Sequence, residues 1–153
     1  MEERNIELDI RRWLDLSKSG KAKEAKDFYY ENLFETVIER FEKNNQHVIS
    51  GSSVDVLISI LGFSPEPIVL GAKLLKPKTH IIIHDAGVSL NEENNRIVSK
   101  YLENYKFVEL NDETFACLYD TLKEQLSITP AQHCAINITG GKKSMSASAG
   151  IFA

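Results

Sequence analysis

Two hydrophobic rhythms divide the chain. In the first, apolar residues recur at helical spacing. Ile6, Ile10, Trp13 and Leu14 mark one face of a helix that Ser19-Gly20 is placed to stop. Ala25, Tyr29, Leu33, Val37 and Phe41 then follow at four-residue steps and predict a second helix over residues 21–44. Together these read as an N-terminal α-helical hairpin over residues 1–46. Phe28, Tyr29, Tyr30 and Phe34 are expected to pack within it rather than to offer a base-stacking surface. Asn44-Asn45 and Ser50-Gly51-Ser52-Ser53 form a polar break, where a domain boundary is expected.

The second rhythm begins after Ser53. Residues 54–61 (VDVLISIL) are apolar and β-branched, the pattern of a buried strand. Residues 65–75 predict a helix with Pro65 near its first turn, ended by Lys76-Pro77. THIIIH over 79–84 predicts a second strand, and 91–105 a helix with Ile97, Tyr101 and Leu102 on one side. A short third strand over 106–110 precedes a helix over 113–126 that carries Phe115, Leu118, Leu122 and Leu126 in register. CAINIT over 134–139 predicts a fourth strand, and 141–153 opens a last helix. The alternation is βαβαβαβα. It predicts an α/β, Rossmann-like, doubly wound parallel sheet over residues 53–153, with helices on both faces. Right-handed crossovers leave few topologies, and the commonest has strand order 3-2-1-4.

Composition narrows the function classes. The chain has 153 residues, enough for one domain with a real core. With 42% hydrophobic and 26% charged residues it is neither disordered nor collagen-like. Its apolar runs fall well short of the roughly 20 residues of a membrane helix. A net charge of −4 argues against a surface that grips long duplex nucleic acid, which leaves a basic footprint. It does not argue against a local pocket for a small anion, because a few backbone donors suffice there. Cys117 and Cys134 form no CxxC, and neither has a His at metal-ligand spacing. They are expected to be reduced core thiols, with no metal and no cofactor. Met1-Glu2-Glu3-Arg4 leads into no apolar leader stretch, so a cytoplasmic protein is expected.

The unusual residues of the second domain fall in two loops. In a 3-2-1-4 sheet the strand order reverses between strands 1 and 4, and ligands bind outside the carboxyl ends of the strands at that reversal. The loop after strand 1 is Gly62-Phe63-Ser64-Pro65-Glu66-Pro67, and the loop after strand 4 is Thr139-Gly140-Gly141-Lys142-Lys143-Ser144. Each runs from a strand into a helix N-terminus, with small residues, hydroxyls and backbone N–H groups where a helix dipole favours an anion. A tight turn followed by solvated lysines is the plainer reading of the second loop. Lysines are disfavoured at the positive end of a helix dipole, however, and two of them there hint at a bound anion. The dinucleotide fingerprint GxGxxG, the phosphate-binding GxxxxGK[ST] and the nucleophile elbow GxSxG are all absent. His84-Asp85 closes strand 2 and is expected to face the loops as a polar pair.

The run Asn137-Ile138-Thr139-Gly140-Gly141-Lys142-Lys143-Ser144-Met145-Ser146 resembles the second motif of CRISPR-associated Rossmann-fold (CARF) domains, and the strand entering Gly62–Pro67 resembles their first. In that family the second motif is Asp-x-Thr-Gly-Gly-Thr-Lys followed by Met and small residues. Thr139, Gly140, Gly141, Lys143 and Met145 match it. Asn137 stands where Asp is usual, and Lys142 where Thr is usual.

The resemblance covers residues 53–153. It implies a sensor of cyclic oligoadenylate, the second messenger of type III CRISPR systems, working as a homodimer that regulates an attached effector nuclease in antiviral defence. Neither a HEPN-type RxxxxH nor a nuclease-like cluster follows, and the sequence closes on Ala149-Gly150-Ile151-Phe152-Ala153 inside an expected helix. The expectation is therefore a sensor domain cut short at its C-terminus, without its effector. The ligand residues it implies are Gly62, Phe63, Ser64, Glu66, Thr139, Gly140, Gly141, Lys142, Lys143 and Ser144, with no catalytic residue assigned. A metal-independent ring nuclease that cleaves the messenger, and a Rossmann domain for another nucleotide ligand, are the alternatives.

Overall fold

The computed structural model describes residues 5–48, 53–86, 91–131, 133–141 and 143–152; the side chains at 144, 148 and 152 are outside that description. The chain divides into two compact units, up to Asn45 and from Gln46 onward.

The first unit holds α1 (Ile6–Lys18), α2 (Ala22–Asn32) and α3 (Phe34–Asn45). Asn5 caps α1 by accepting from the amides of Glu7 and Leu8. Gly20, at φ 73°, makes the reversal that follows. The single helix expected over 21–44 is instead broken at Leu33 (φ −114°, ψ −32°). Aromatic packing outweighs helical continuity there. Tyr30, Leu33 and Phe34 are all buried, and ring centroids lie 5.3 Å apart between Tyr29 and Tyr30 and again between Tyr30 and Phe34. Trp13 reaches this cluster from α1, 6.0 Å from Tyr29. These aromatics pack, as expected, and Phe28 lies under the Arg12 guanidinium.

The second unit alternates strand and helix: β1 (Val56–Ile60), α4 (Glu66–Leu75), β2 (Thr79–His84), α5 (Glu92–Tyr101), β3 (Tyr105–Glu109), α6 (Phe115–Ile128), β4 (Cys134–Asn137) and α7 (Lys143–Phe152). The four strands are parallel and ordered β3-β2-β1-β4, as the alternation predicts. Helix α5 ends at Tyr101, short of the expected 105. Leu102 is extended, and Asn104, at φ 53°, turns the chain into β3. Helix α4 ends where expected, with Lys76 in the left-handed region before Pro77.

The two faces of the sheet differ in chemistry. Side chains alternate along a strand, and paired strands present the same face at partnered positions. Val56, Ile58, Ile60, Ile81 and Ile83 point one way and pack with Leu118 and Leu122 of α6 and Met145 and Ala149 of α7 into an apolar core. Leu57, Ser59, His80, Ile82 and Asn137 point the other way, the α4 side, where a polar stripe crosses the sheet. Both cysteines are free thiols. Cys117 of α6 is half-buried and packs against the apolar core, whereas Cys134, on the edge strand β4, is exposed and is not the core thiol expected.

At the amino ends of the strands Asp55 ties three segments of the chain together. Its Oδ2 accepts from the His133 amide at 3.0 Å, its Oδ1 meets Lys78 Nζ at 3.1 Å, and its carbonyl accepts from Thr79 N at 3.0 Å.

His80 carries a pH dependence. Its Nε2 shares a 2.8 Å hydrogen bond with Ser59 Oγ, and its Nδ1 is buried without a hydrogen-bond partner. Burial pushes its pKa down from 6.5 to about 4. The folded state therefore holds a neutral ring, whereas the unfolded chain takes up a proton near pH 6.5. The stability this represents is present in full above pH 6.5 and is lost as pH falls toward 4, a loss of roughly 3 kcal/mol. Denaturant titrations over that range should show this loss in the wild type and a flatter profile in His80→Gln. Parallel profiles would mean that the ring is not held neutral.

Candidate functional site

Strand order places the reversal between β1 and β4, so the loops leaving them meet at the carboxyl edge of the sheet. The meeting is backbone to backbone. A Cβ on Gly62 would lie 2.6 Å from the Gly141 nitrogen and 3.2 Å from its Cα. A Cβ on Gly140 would run into the carbonyl oxygen of Ile60, and one on Gly141 into the Ile60 side chain. Gly141 also has φ 84°, which L residues rarely adopt. The three glycines are thus explained by the closeness of the two loops and of the Ile60 backbone beneath them.

Side chains fasten each loop to its neighbours. Asn137, the last residue of β4, uses both ends of its amide: Oδ1 accepts from Thr139 N at 3.0 Å, and Nδ2 donates to the Pro67 carbonyl in α4 at 2.9 Å. Ser146 of α7 donates to the Gly140 carbonyl at 2.7 Å. Met145 and Ala149, both buried, anchor α7 in the core. In the other loop the Ser64 hydroxyl donates to Glu66 Oε2 at 2.9 Å and accepts from the Glu66 amide at 3.4 Å. The Glu66 carboxylate lies in the first turn of α4, where the helix dipole favours a negative charge.

The structure brings Gly62, Gly140 and Gly141 into contact and joins Thr139 to α4 through Asn137. Phe63 is 79% exposed. Thr139 is exposed, and so is Lys143, the first residue of α7. Lys142 and the side chain of Ser144 lie outside the described residues. Sequence reasoning did not assign Asn137 or Ser146 to the site. An Asn two residues before a loop amide is a recognised turn signal and marks the first. Nothing local marks the second, whose bond spans six residues.

His84 and Asp85 correct an expectation: both are buried, not turned to the loops. His84 Nδ1 donates to the Asp85 carbonyl at 2.8 Å, and its ring meets Phe107 edge-on at 6.0 Å. A hollow of about 750 Å³, lined by Asp55, Lys78, Thr79, Leu126, Pro130 and Ala131, opens at the opposite, amino edge of the sheet. Among the described residues no three His, Cys, Asp or Glu side chains are placed to share a metal ion.

The glycine contacts give a direct test. Gly62→Ala and Gly140→Ala each force a methyl into backbone and should cost about 1–3 kcal/mol by overpacking. Gly150 of α7 has nothing within 4 Å of its would-be Cβ. Gly150→Ala should therefore be neutral or stabilising by up to about 1 kcal/mol. Chemical denaturation of the three variants checks this, and equal small effects would mean that the loops stand apart.

No protein-family model matches this chain, and neither does any curated protein. Among solved structures, the chain is similar to Can2 from Sulfobacillus thermosulfidooxidans in complex with cyclic tetra-adenylate, at 18% identity over 62% of this chain and 26% of that one, with a TM-score of 0.49. It is also similar to the NH3-dependent NAD synthetase from Campylobacter jejuni subsp. jejuni in complex with the nitrate ion, at 16% identity over 60% of this chain and 41% of that one, with a TM-score of 0.33. The chain thus spans less than half the length of either protein.

Proposed function

We propose that residues 53–153 form a CARF-type sensor domain that binds a cyclic oligoadenylate in the crevice between the loops after β1 and β4, and that residues 1–46 are a separate helical segment. The observation that carries this reading is the contact of Gly62 with Gly141. It joins two loops distant in sequence, each resembling a motif of that family, beside the exposed Lys143. In this reading Lys143 contacts a messenger phosphate and Thr139 offers a hydroxyl. Gly140 and Gly141 present backbone N–H groups, and Ser64, held by Glu66, lines the opposite wall. Phe63 offers a flat apolar face to a base, and Lys142 and Ser144 complete the motif.

The resemblance extends the reading to a homodimer with the messenger on its two-fold axis, and to a cytoplasmic protein of antiviral defence that regulates an effector nuclease in the same polypeptide. Two facts bear on other partners: the first argues against a surface that grips a duplex, the second against a membrane-spanning helix among the described residues. The net charge is −4, and among the described residues no helix is long and apolar enough to cross a membrane.

Titration calorimetry with cyclic tetra-adenylate and cyclic hexa-adenylate tests the proposal directly, and absence of binding by both removes it. Lys143→Ala should weaken binding by roughly 1.5–3 kcal/mol, one charge-assisted contact, or about ten- to a hundredfold. Folding stability should move by no more than about 0.5 kcal/mol, because the position is exposed. Lys142→Ala is the comparison, since adjacent residues at a helix start point in different directions. Negligible effects of both would leave a glycine turn with solvated lysines as the better account.

A further inference from the structure

We infer that Asn137 is a positioning residue that couples the two loops, one through each end of its amide, so that the geometry of the crevice depends on a side chain that need not touch the ligand. The consequence for binding rests on the function proposed above; the coupling itself does not.

The geometry is specific to an amide. Oδ1 accepts from the Thr139 nitrogen at 3.0 Å, which sets the first turn of the glycine loop. Nδ2 donates to the Pro67 carbonyl at 2.9 Å, which holds the first turn of α4 and with it the loop after β1. Helix α4 comes close to receive this bond: a Cβ on Gly71 would lie 2.9 Å from Nδ2 and press on the Asn137 amide. Asn137 is paired with Ser59 of β1, so it sits where the two strands that feed the loops lie side by side.

An aspartate at 137 reproduces only half of this arrangement. An ionised carboxylate still accepts from Thr139 N, but it has no donor for Pro67 and places a negative oxygen against a carbonyl. A protonated carboxyl regains one donor. The departure from the Asp usual in the resembling family therefore changes how the loops are held together.

The test compares the wild type with Asn137→Asp and Asn137→Ala by amide chemical shifts and hydrogen exchange at pH 8, where an introduced carboxyl is ionised. In Asn137→Asp the Thr139 amide should keep its protection, while Gly62 and the first-turn amides of α4 shift and exchange faster. Asn137→Ala should loosen both loops. Cyclic tetra-adenylate affinity should fall about tenfold or more in Asn137→Asp at pH 8. If the wild type does not bind this ligand, the proposed function fails and the exchange data still decide the coupling. Unchanged amides of the β1 loop in Asn137→Asp at pH 8 would overturn it.

Discussion

The contact of Gly62 with Gly141 is the constraint on which the carboxyl edge of the sheet depends. Two loops can approach to backbone contact only if neither carries a Cβ at the crossing and the strands beneath them are neighbours. The order β3-β2-β1-β4 meets the second condition. Ile60 links the loops to the core. Its carbonyl lies under Gly140 and its side chain under Gly141, and it is itself fully buried against the α6 and α7 face. Any shift of β1 against β4 would therefore be felt at the crossing. The hydroxyl of Ser146 and the buried Met145 keep α7 from drifting away.

The two faces of the sheet serve this edge differently. The face toward α6 and α7 is closely packed and apolar, with non-directional contacts that favour burial without dictating orientation. The face toward α4 carries Ser59, His80 and Asn137, whose hydrogen bonds fix angles and partners. Directional bonds in a buried setting are costly when half-made. His80, with its Nδ1 unpartnered, bears that cost, whereas the Asn137 amide avoids it by using both ends.

Much of the architecture was legible because its signals are local. THIIIH gives β2 residue for residue, and the alternation of strands and helices gives the parallel sheet, whose order is the commonest one for such a chain. What was not legible depends on tertiary partners. The break at Leu33 follows from aromatic rings that pack around Phe34, and no turn residue announces it. The exposure of Cys134 follows from its place on an edge strand. His84 and Asp85 read as polar and therefore loop-facing, yet the imidazole bonds its own chain and both residues are buried. At the site the glycines were visible, but the part of their role that concerns loop contact was not, because the atoms they make room for belong to the other loop.

The helix N-termini that converge on the crevice are not electrostatically alike. Helix α4 already has a carboxylate in its first turn, Glu66, held by the Ser64 hydroxyl. Its positive end is therefore partly answered by the protein itself. Helix α7 has no acidic residue in its first turn and begins with the exposed Lys143. A cation at that end opposes the dipole, at a cost of about 0.3–1 kcal/mol when exposed. The chain thus keeps an unfavourable charge at one helix start and a favourable one at the other, each directly after one of the two loops that cross. In the reading proposed above, an anion on the α7 side gains from both Lys143 and the dipole and so offsets their mutual repulsion, whereas at α4 it would meet the Glu66 carboxylate. That reading therefore assigns phosphate to the α7 side and the uncharged part of a ligand to the β1 loop, where Phe63 is exposed.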